Sequence, residues 1–306
     1  MVFHTLHFPV QTTHNTQLLP AETILSDETM ERLTSTSPQL STVPFLNYSH
    51  VKKDLLKIIN MGPYMIIFED NRKKTAMLDL MEKVNVTPPV LHSLDYFRNA
   101  DPYTYRHKLI VFVLSTLLAQ DILEDREGLF QEVSAGPTHD FGKICVPLRV
   151  LRKTTPLTHT ERLLLEHHAS AGFVLLSYYQ GDMNTLAARV ARDHHERRDG
   201  SGYPTGKKQK ELLVEIVAVS DVYDALISPR PYRPTCYDNR TALEEITDMA
   251  EQGKLNLEVV KALVAFNRRS KPHHTECTIS TDRRGCAPPG NIYGKFENNQ
   301  GEAHEQ

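Results

Sequence analysis

The chain has 306 residues, of which 40% are hydrophobic and 24% charged, with a formal net charge of −3 when histidine is neutral. That balance is ordinary for a globular protein, and it provides no broad basic field to hold a nucleic-acid polymer or an anionic membrane. The excess lies in 15 histidines, the side chain most used to bind metals and the one that titrates near neutral pH.

The first 70 residues read as a small α+β unit. "VFHTLHFPVQTTHNTQL" alternates apolar with β-branched polar residues and predicts a short strand or two. "LSDETMERL" predicts a short helix capped by Ser26 or Asp27, and the apolar run "YMIIF" at Tyr64–Phe68 reads as a strand. Residues 71–97 read as a helical linker broken at Pro88-Pro89.

From residue 98 to 269 the pattern is helical. Ile110, Val113, Leu114, Leu117 and Leu118 repeat at helical spacing. Their apolar run, "LIVFVLSTLLA", falls well short of the ~20 residues that span a bilayer. Thr158 with Glu161 forms a capping box, and Leu164, Leu165, Gly172, Leu175 and Leu176 line the helix that follows. Leu186, Ala187, Val190 and Ala191 mark another helix, "LVEIVAVSDVYDAL" the next, then "NRTALEEITDMAEQG" with a stop at Gly253, and "NLEVVKALVAF". Residues 270–306, rich in Gly, Pro, Asn and charge, read as a disordered tail. No internal repeat is present. The four cysteines, Cys145, Cys236, Cys277 and Cys286, form no C-x-x-C pair. With no secretory signal pattern at the N-terminus, they point to the reducing cytoplasm.

Several polar side chains share helix faces with these apolar residues. His107 lies three before Ile110, and His168 four after Leu164. His194 follows Leu186 and Val190, His195 follows Ala187 and Ala191, and Asp221 and Asp224 follow Val217. "THDFGK" adds His139 and Asp140, with Lys143 one turn onward. A single inward histidine is ordinarily a satisfied core residue. Several imidazoles and carboxylates buried together without partners would cost several kcal/mol each, and a metal cluster between facing helices satisfies them.

These residues also carry a resemblance. "HHERRDGSGYP" resembles the HD-GYP signature, and "THDFGK" resembles that family's HD-x-GK segment. "VSDVYDALISPRPYR" resembles its D-x-x-DAL-x-S-x-RPYR segment, and "LTHTERLLLEHHASAG" the helix that supplies a further metal histidine. The likeness covers about residues 98 to 268. It implies a mainly α protein: an HD-domain helical bundle with a C-terminal helical extension, preceded by the small α+β unit. It implies hydrolysis of cyclic di-GMP in second-messenger signalling, by a hydroxide bridging two metal ions. Carried over by residue, one ion falls to His107, His139, Asp140 and Asp221. Asp140 bridges to a second, held by His168, His194 and His195, while His167 falls outside the pattern.

Family members with a third ion place an acid one turn before the first histidine. Here Tyr103 stands there, with Asp101 off the face. Two ions are therefore expected, with linear pGpG as the expected product and further breakdown to GMP either absent or slow. Nitrogen and oxygen donors favour iron or manganese, and zinc or other divalent ions also fit such a set. Lys143 is expected to act in catalysis beside Asp140 and to meet a phosphate oxygen. Arg230 and Arg233 would hold phosphate, and Tyr203, presented by the Gly200–Gly202 turn, would contact the ligand. Glu196 and Asp199 would brace the loop and the histidines. The N-terminal unit would be regulatory or mediate self-association as a homodimer, and GGDEF-domain proteins are the implied signalling partners. The competing readings are a cyclic di-GMP receptor or partner-docking module without turnover, and an HD phosphohydrolase acting on another nucleotide.

Overall fold

The computed structural model describes residues 4–123, 129–130, 133, 135–229, 235–280 and 282–289. The chain opens with a small antiparallel pair, β1 (Val10–Gln11) and β2 (Gln17–Leu19), closed by a turn in which Thr12 Oγ1 accepts from the backbone of His14 and Thr16. Helix α1 (Asp27–Thr34) follows, with Ser26 as its N-cap accepting from the Thr29 amide at 3.1 Å. Asp27 and Glu28 sit in its first turn, where the helix dipole favours negative charge. β3 (Val43–Pro44) pairs antiparallel with β4 (Asn85–Val86), flanking α2 (Val51–Ile59) and α3 (Asn71–Met81). Tyr64–Phe68 is not the strand its apolar run suggested. Gly62–Tyr64 form a 3-10 turn with Pro63 at its start, and the following turn sends Ile67 and Phe68 into the core.

The bundle begins at α4 (Pro88–Ala100), whose N-terminal proline suits a first helical position that needs no amide donor. α5 (Pro102–Ile122) is its axis, with every residue from Leu109 to Ala119 buried. After a 3-10 turn at Gly136–Thr138 and another at Phe141–Cys145 come α6 (Leu148–Leu151) and α7 (His159–Gln180). The expected capping box is formed: Thr158 Oγ1 accepts from the Glu161 amide at 3.2 Å, and Glu161 Oε2 accepts from the Thr158 amide at 2.9 Å. α8 (Leu186–Asp193), α9 (Leu212–Ile227), α10 (Asn239–Glu251) and α11 (Leu257–Phe266) complete the described helices. α9 is buried from Val214 to Ile227 and packs along α5, while α8 packs along α7. None of the described helices is long and apolar enough to cross a membrane.

One apolar core runs from Leu6 to Cys277. α1 lies against α7, and α2 and α3 lie against α5, so the residues before 88 form a layer on the bundle rather than a separate body. The stretch after Ser270, which composition marked as disordered, is attached in its described part. Lys271 Nζ donates to the backbone carbonyls of Ile66 and Phe266, Cys277 is buried, and Glu244 accepts from the amides of Arg284 and Gly285. Polar side chains capping carbonyls and carboxylates tether this segment, which an apolar-content argument does not register.

Candidate metal centre

The site lies where α5, the Gly136–Cys145 turns, α7, the end of α8 and α9 converge. His107 comes from α5, His168 from α7 and Asp221 from α9. His194 is the C-cap of α8 and His195 follows it, so both leave the helix end rather than ridges along it. His139 and Asp140 sit between the two 3-10 turns. Close backbone approach brings this turn to α7. A Cβ on Gly142 would stand 2.0 Å from the carbonyl oxygen of His168 and 2.3 Å from the amide nitrogen of Gly172, so only glycine fits there.

The donor atoms of Asp140, His168, His194 and His195 all lie within 4.8 Å of one another, as do those of His107, His139 and Asp221. Asp140 joins the two groups. Its Oδ2 lies 3.5 Å from His107 Nε2 and 3.4 Å from His139 Nε2, and its Oδ1 lies 3.4 Å from His168 Nε2 and 3.9 Å from His194 Nε2. All seven residues expected at the metals are thus brought together. A further group, Asp121 with His273 and His274, lies elsewhere; Asp121 is already met there by Lys73 at 3.2 Å and His274 at 3.1 Å.

Tautomers decide what the cluster can hold. A carbonyl or carboxylate oxygen only accepts, so a ring nitrogen facing one carries the proton. Nδ1 of His139 donates to Gly136 O at 2.9 Å, and Nδ1 of His168 to Leu165 O at 2.6 Å. Nδ1 of His194 donates to Val190 O at 2.9 Å, and Nδ1 of His107 to Asp224 Oδ2 at 2.6 Å. His139, His168 and His194 therefore each turn an Nε2 lone pair inward, and His107 turns its Nε2 the same way. The lone pairs of His168 and His194 face each other at 3.5 Å, while His107 Nε2 lies 2.9 Å from Asp221 Oδ1, a hydrogen bond that an ion held by both atoms would replace. His139 Nε2 and Asp140 Oδ1 are buried and make no hydrogen bond. Acceptors converging on acceptors at these distances fit a cation between them, and both donor groups could hold a metal ion.

The charge states agree. Burial pushes His168 down to about 3 and His194 down to about 4, and holds His195 well below its ordinary value. All three are neutral near pH 7, the form that binds metal. Burial alone would raise Asp140, but Lys143 and His139 outweigh it and hold the carboxyl well below its usual range. Burial would likewise raise Asp221, but the hydrogen bond with His107 leads the opposing effects that keep the carboxyl low.

Around this cluster, Lys143 Nζ is paired with Asp140 Oδ2 at 2.5 Å. Tyr203 stacks on His195 with ring centroids 4.5 Å apart and planes at 22°. Gly200 adopts φ +89°, as its turn requires, whereas Gly202 is demanded by space: a Cβ there would stand 2.3 Å from the His195 carbonyl oxygen. Glu196 and Asp199 brace the loop but not the histidines. Glu196 Oε1 accepts from Thr205 N at 2.7 Å and Thr205 Oγ1 at 2.6 Å, and Asp199 Oδ1 accepts from Ser201 N at 2.9 Å. Tyr103 is exposed, while Asp101 is buried and accepts from Thr104 Oγ1 at 2.7 Å. His167 packs edge-on against Phe8, outside the cluster. Arg230 and Arg233 lie outside the described residues.

Two residues of the site escaped the sequence reading. Asp224 was seen to face inward, but its bond to His107 is tertiary and leaves no local signal. Lys108 is fully buried, 4.5 Å from the centre of the Phe97 ring, and burial lowers it to about 7. A lysine beside an inward histidine reads as solvent-facing until the packing around α5 is known.

Helices that bring paired histidines and aspartates together in this way define an HD domain. The sequence model of the HD domain family matches residues 100–259, more than half of the chain, and the chain belongs to that family. Within it, the chain carries the HD-GYP signature at His194–Pro204. It is 37% identical over 184 residues to a cyclic di-GMP phosphodiesterase of Thermotoga maritima, covering 58% of this chain and 48% of that protein. It is 38% identical over 195 residues to a cyclic di-GMP phosphodiesterase of Pseudomonas aeruginosa, covering 61% and 45%. A 3′3′-cGAMP-specific phosphodiesterase of Vibrio cholerae matches at 36% identity over 135 residues, 43% of this chain and 29% of that protein. The chain spans about half the length, or less, of these curated relatives.

Proposed function

We propose that the chain is a metal-dependent phosphodiesterase that opens cyclic di-GMP to linear pGpG. The inward convergence of Nε2 lone pairs, including His168 against His194 at 3.5 Å, carries this reading. His107, His139 and Asp221 would hold one divalent ion, and His168, His194 and His195 the other. Asp140 would offer one oxygen to each. The nitrogen and oxygen donors suit iron or manganese. When bound, such a pair supplies Lewis acidity to a phosphodiester and lowers the pKa of a water nucleophile.

The chain's own residues supply the rest. His195 and Lys143 are partly exposed, so a phosphate can approach the cluster along this edge. Lys143, a cation already at Asp140, lies within reach of a non-bridging phosphate oxygen. The Tyr203 ring, fixed against His195, offers a flat surface to a nucleobase. Arg230 and Arg233 would grip the second phosphate. Four unpaired cysteines support a reducing, cytoplasmic setting.

The test loads the full chain with Mn(II) or Fe(II) and resolves products from cyclic di-GMP and, separately, from 3′3′-cGAMP. Conversion of cyclic di-GMP to pGpG is expected, with a His139→Ala, Asp140→Ala double variant inert. Preferred turnover of 3′3′-cGAMP would move the substrate to that dinucleotide, the one named for the Vibrio relative. Tight binding of cyclic di-GMP without any product would make the chain a receptor and end the enzyme reading.

A further inference from the structure

We propose that Tyr64, far from the metal cluster in sequence and outside the matched HD region, is a positioning residue that acts through Asp224 on His107. The inference rests on the metal-centre reading above. Tyr64 ends the 3-10 turn at Gly62–Tyr64, before residue 100, where the family match begins. Its hydroxyl donates to Asp224 Oδ1 and lies 3.0 Å from Ser228 Oγ, which itself donates to the same oxygen at 2.6 Å. The other oxygen of Asp224 accepts from His107 Nδ1 at 2.6 Å. Tyr64, His107, Asp224 and Ser228 are each no more than 2% exposed, so water does not substitute for any of these bonds.

The direction of each bond gives the arrangement its meaning. The Tyr64 and Ser228 hydroxyls fix one carboxylate oxygen, and this sets the plane of the other. That oxygen accepts the Nδ1 proton of His107 and so directs Nε2 toward Asp221 and Asp140. Arg106 Nη1 lies 4.0 Å from Asp224 Oδ1, and its guanidinium lies over the Tyr64 ring at 5.4 Å. A phenylalanine would fill the same space as Tyr64, so packing alone does not call for the hydroxyl. Ser228 also caps α9 just before the segment that carries Arg230 and Arg233. The layer before the bundle thus reaches the metal ligands through one side chain.

The experiment measures Mn(II) affinity of the full chain by chelator competition, with the thermal midpoint of the metal-free protein as a second readout. Asp224→Asn should weaken binding about 10–100-fold, as loss of a ligand's orienting partner does. Tyr64→Phe should weaken it by at least about threefold, a smaller loss because it acts one bond further out. Tyr48→Phe is the matched control: Tyr48 also belongs to the N-terminal layer and donates to an aspartate, Asp95 at 2.5 Å, but that pair does not lead to the cluster. It should leave the affinity unchanged whatever it does to the midpoint. In the Asp224→Asn background, Tyr64→Phe should cause no further loss. Native affinity in Tyr64→Phe, an equal loss in Tyr48→Phe, or full additivity with Asp224→Asn would each overturn the proposal. A native chain that holds no Mn(II) at all would instead overturn the metal-centre reading, and the two failures are distinct.

Discussion

At the scale of single residues, Asp140 carries the heaviest demand. Its two oxygens face different histidines, and Lys143 shares one of them. Asp140→Asn keeps the shape but replaces one acceptor with a donor, and removes the charge between two sets of lone pairs. Metal content after desalting should fall below that of the native chain, and turnover of cyclic di-GMP by at least about a hundredfold. Native metal content in this variant would show that the ions, if bound, do not depend on Asp140. The residue types were legible because inward histidines at helical spacing are rare and costly. The division of labour between Asp221 and Asp224 was not. Both sit on one face of α9, and only the packing of α5 against that face sends one to the donors and the other behind His107.

Among the secondary-structure elements, the Asp140–Lys143 turn depends on its contact with α7. Gly142→Ala puts a methyl group 2.0 Å from a backbone oxygen, with no flexible side chain to yield. The turn must move away, at a cost of about 1–3 kcal/mol for an overpacked interior. A lowered urea midpoint together with weakened metal binding is expected; a native urea midpoint would mean that the turn and helix are further apart than described. Helix starts were readable where caps announce them, as at Thr158 with Glu161 and at Ser26. His194 and His195 were assigned to helical ridges, yet α8 stops before them and the turn itself aims their rings. The Tyr64–Phe68 run failed as a strand for a related reason. Five apolar residues without alternation do not specify a period, and the preceding Gly-Pro starts a tight turn.

For the whole molecule, the buried imidazoles tie stability to pH. Free histidine titrates near 6.5, while His168 lies at about 3 and His194 at about 4 in the fold. A folded value below the unfolded one means that the full contribution is present above pH 6.5 and is lost as pH falls toward the folded values. Each ring then costs about 1.4 kcal/mol per pH unit across that window. Asp140 and Asp221 stay ionised in the fold, so their own contribution is lost only as pH falls toward the free carboxyl value of 3.8, below the range from pH 6.5 to 4.5. Chelator-treated protein should therefore lose thermal stability steadily from pH 6.5 to 4.5, and Mn(II)-loaded protein should start higher and release its metal on the way down. A flat profile for the metal-free chain would contradict the burial of these rings. Composition located the bundle but not its union with the preceding residues, because a shared core such as Phe45 against Phe112 joins segments far apart in the chain. The histidine tethers have a consequence for assembly. His139, His168 and His194 donate to carbonyls three or four positions earlier, so their proton placement is settled by their own turns. His107 takes its placement from a residue 117 positions away. Three rings can be ready for an ion as soon as local structure forms, and the fourth must wait until α5 and α9 have closed on each other.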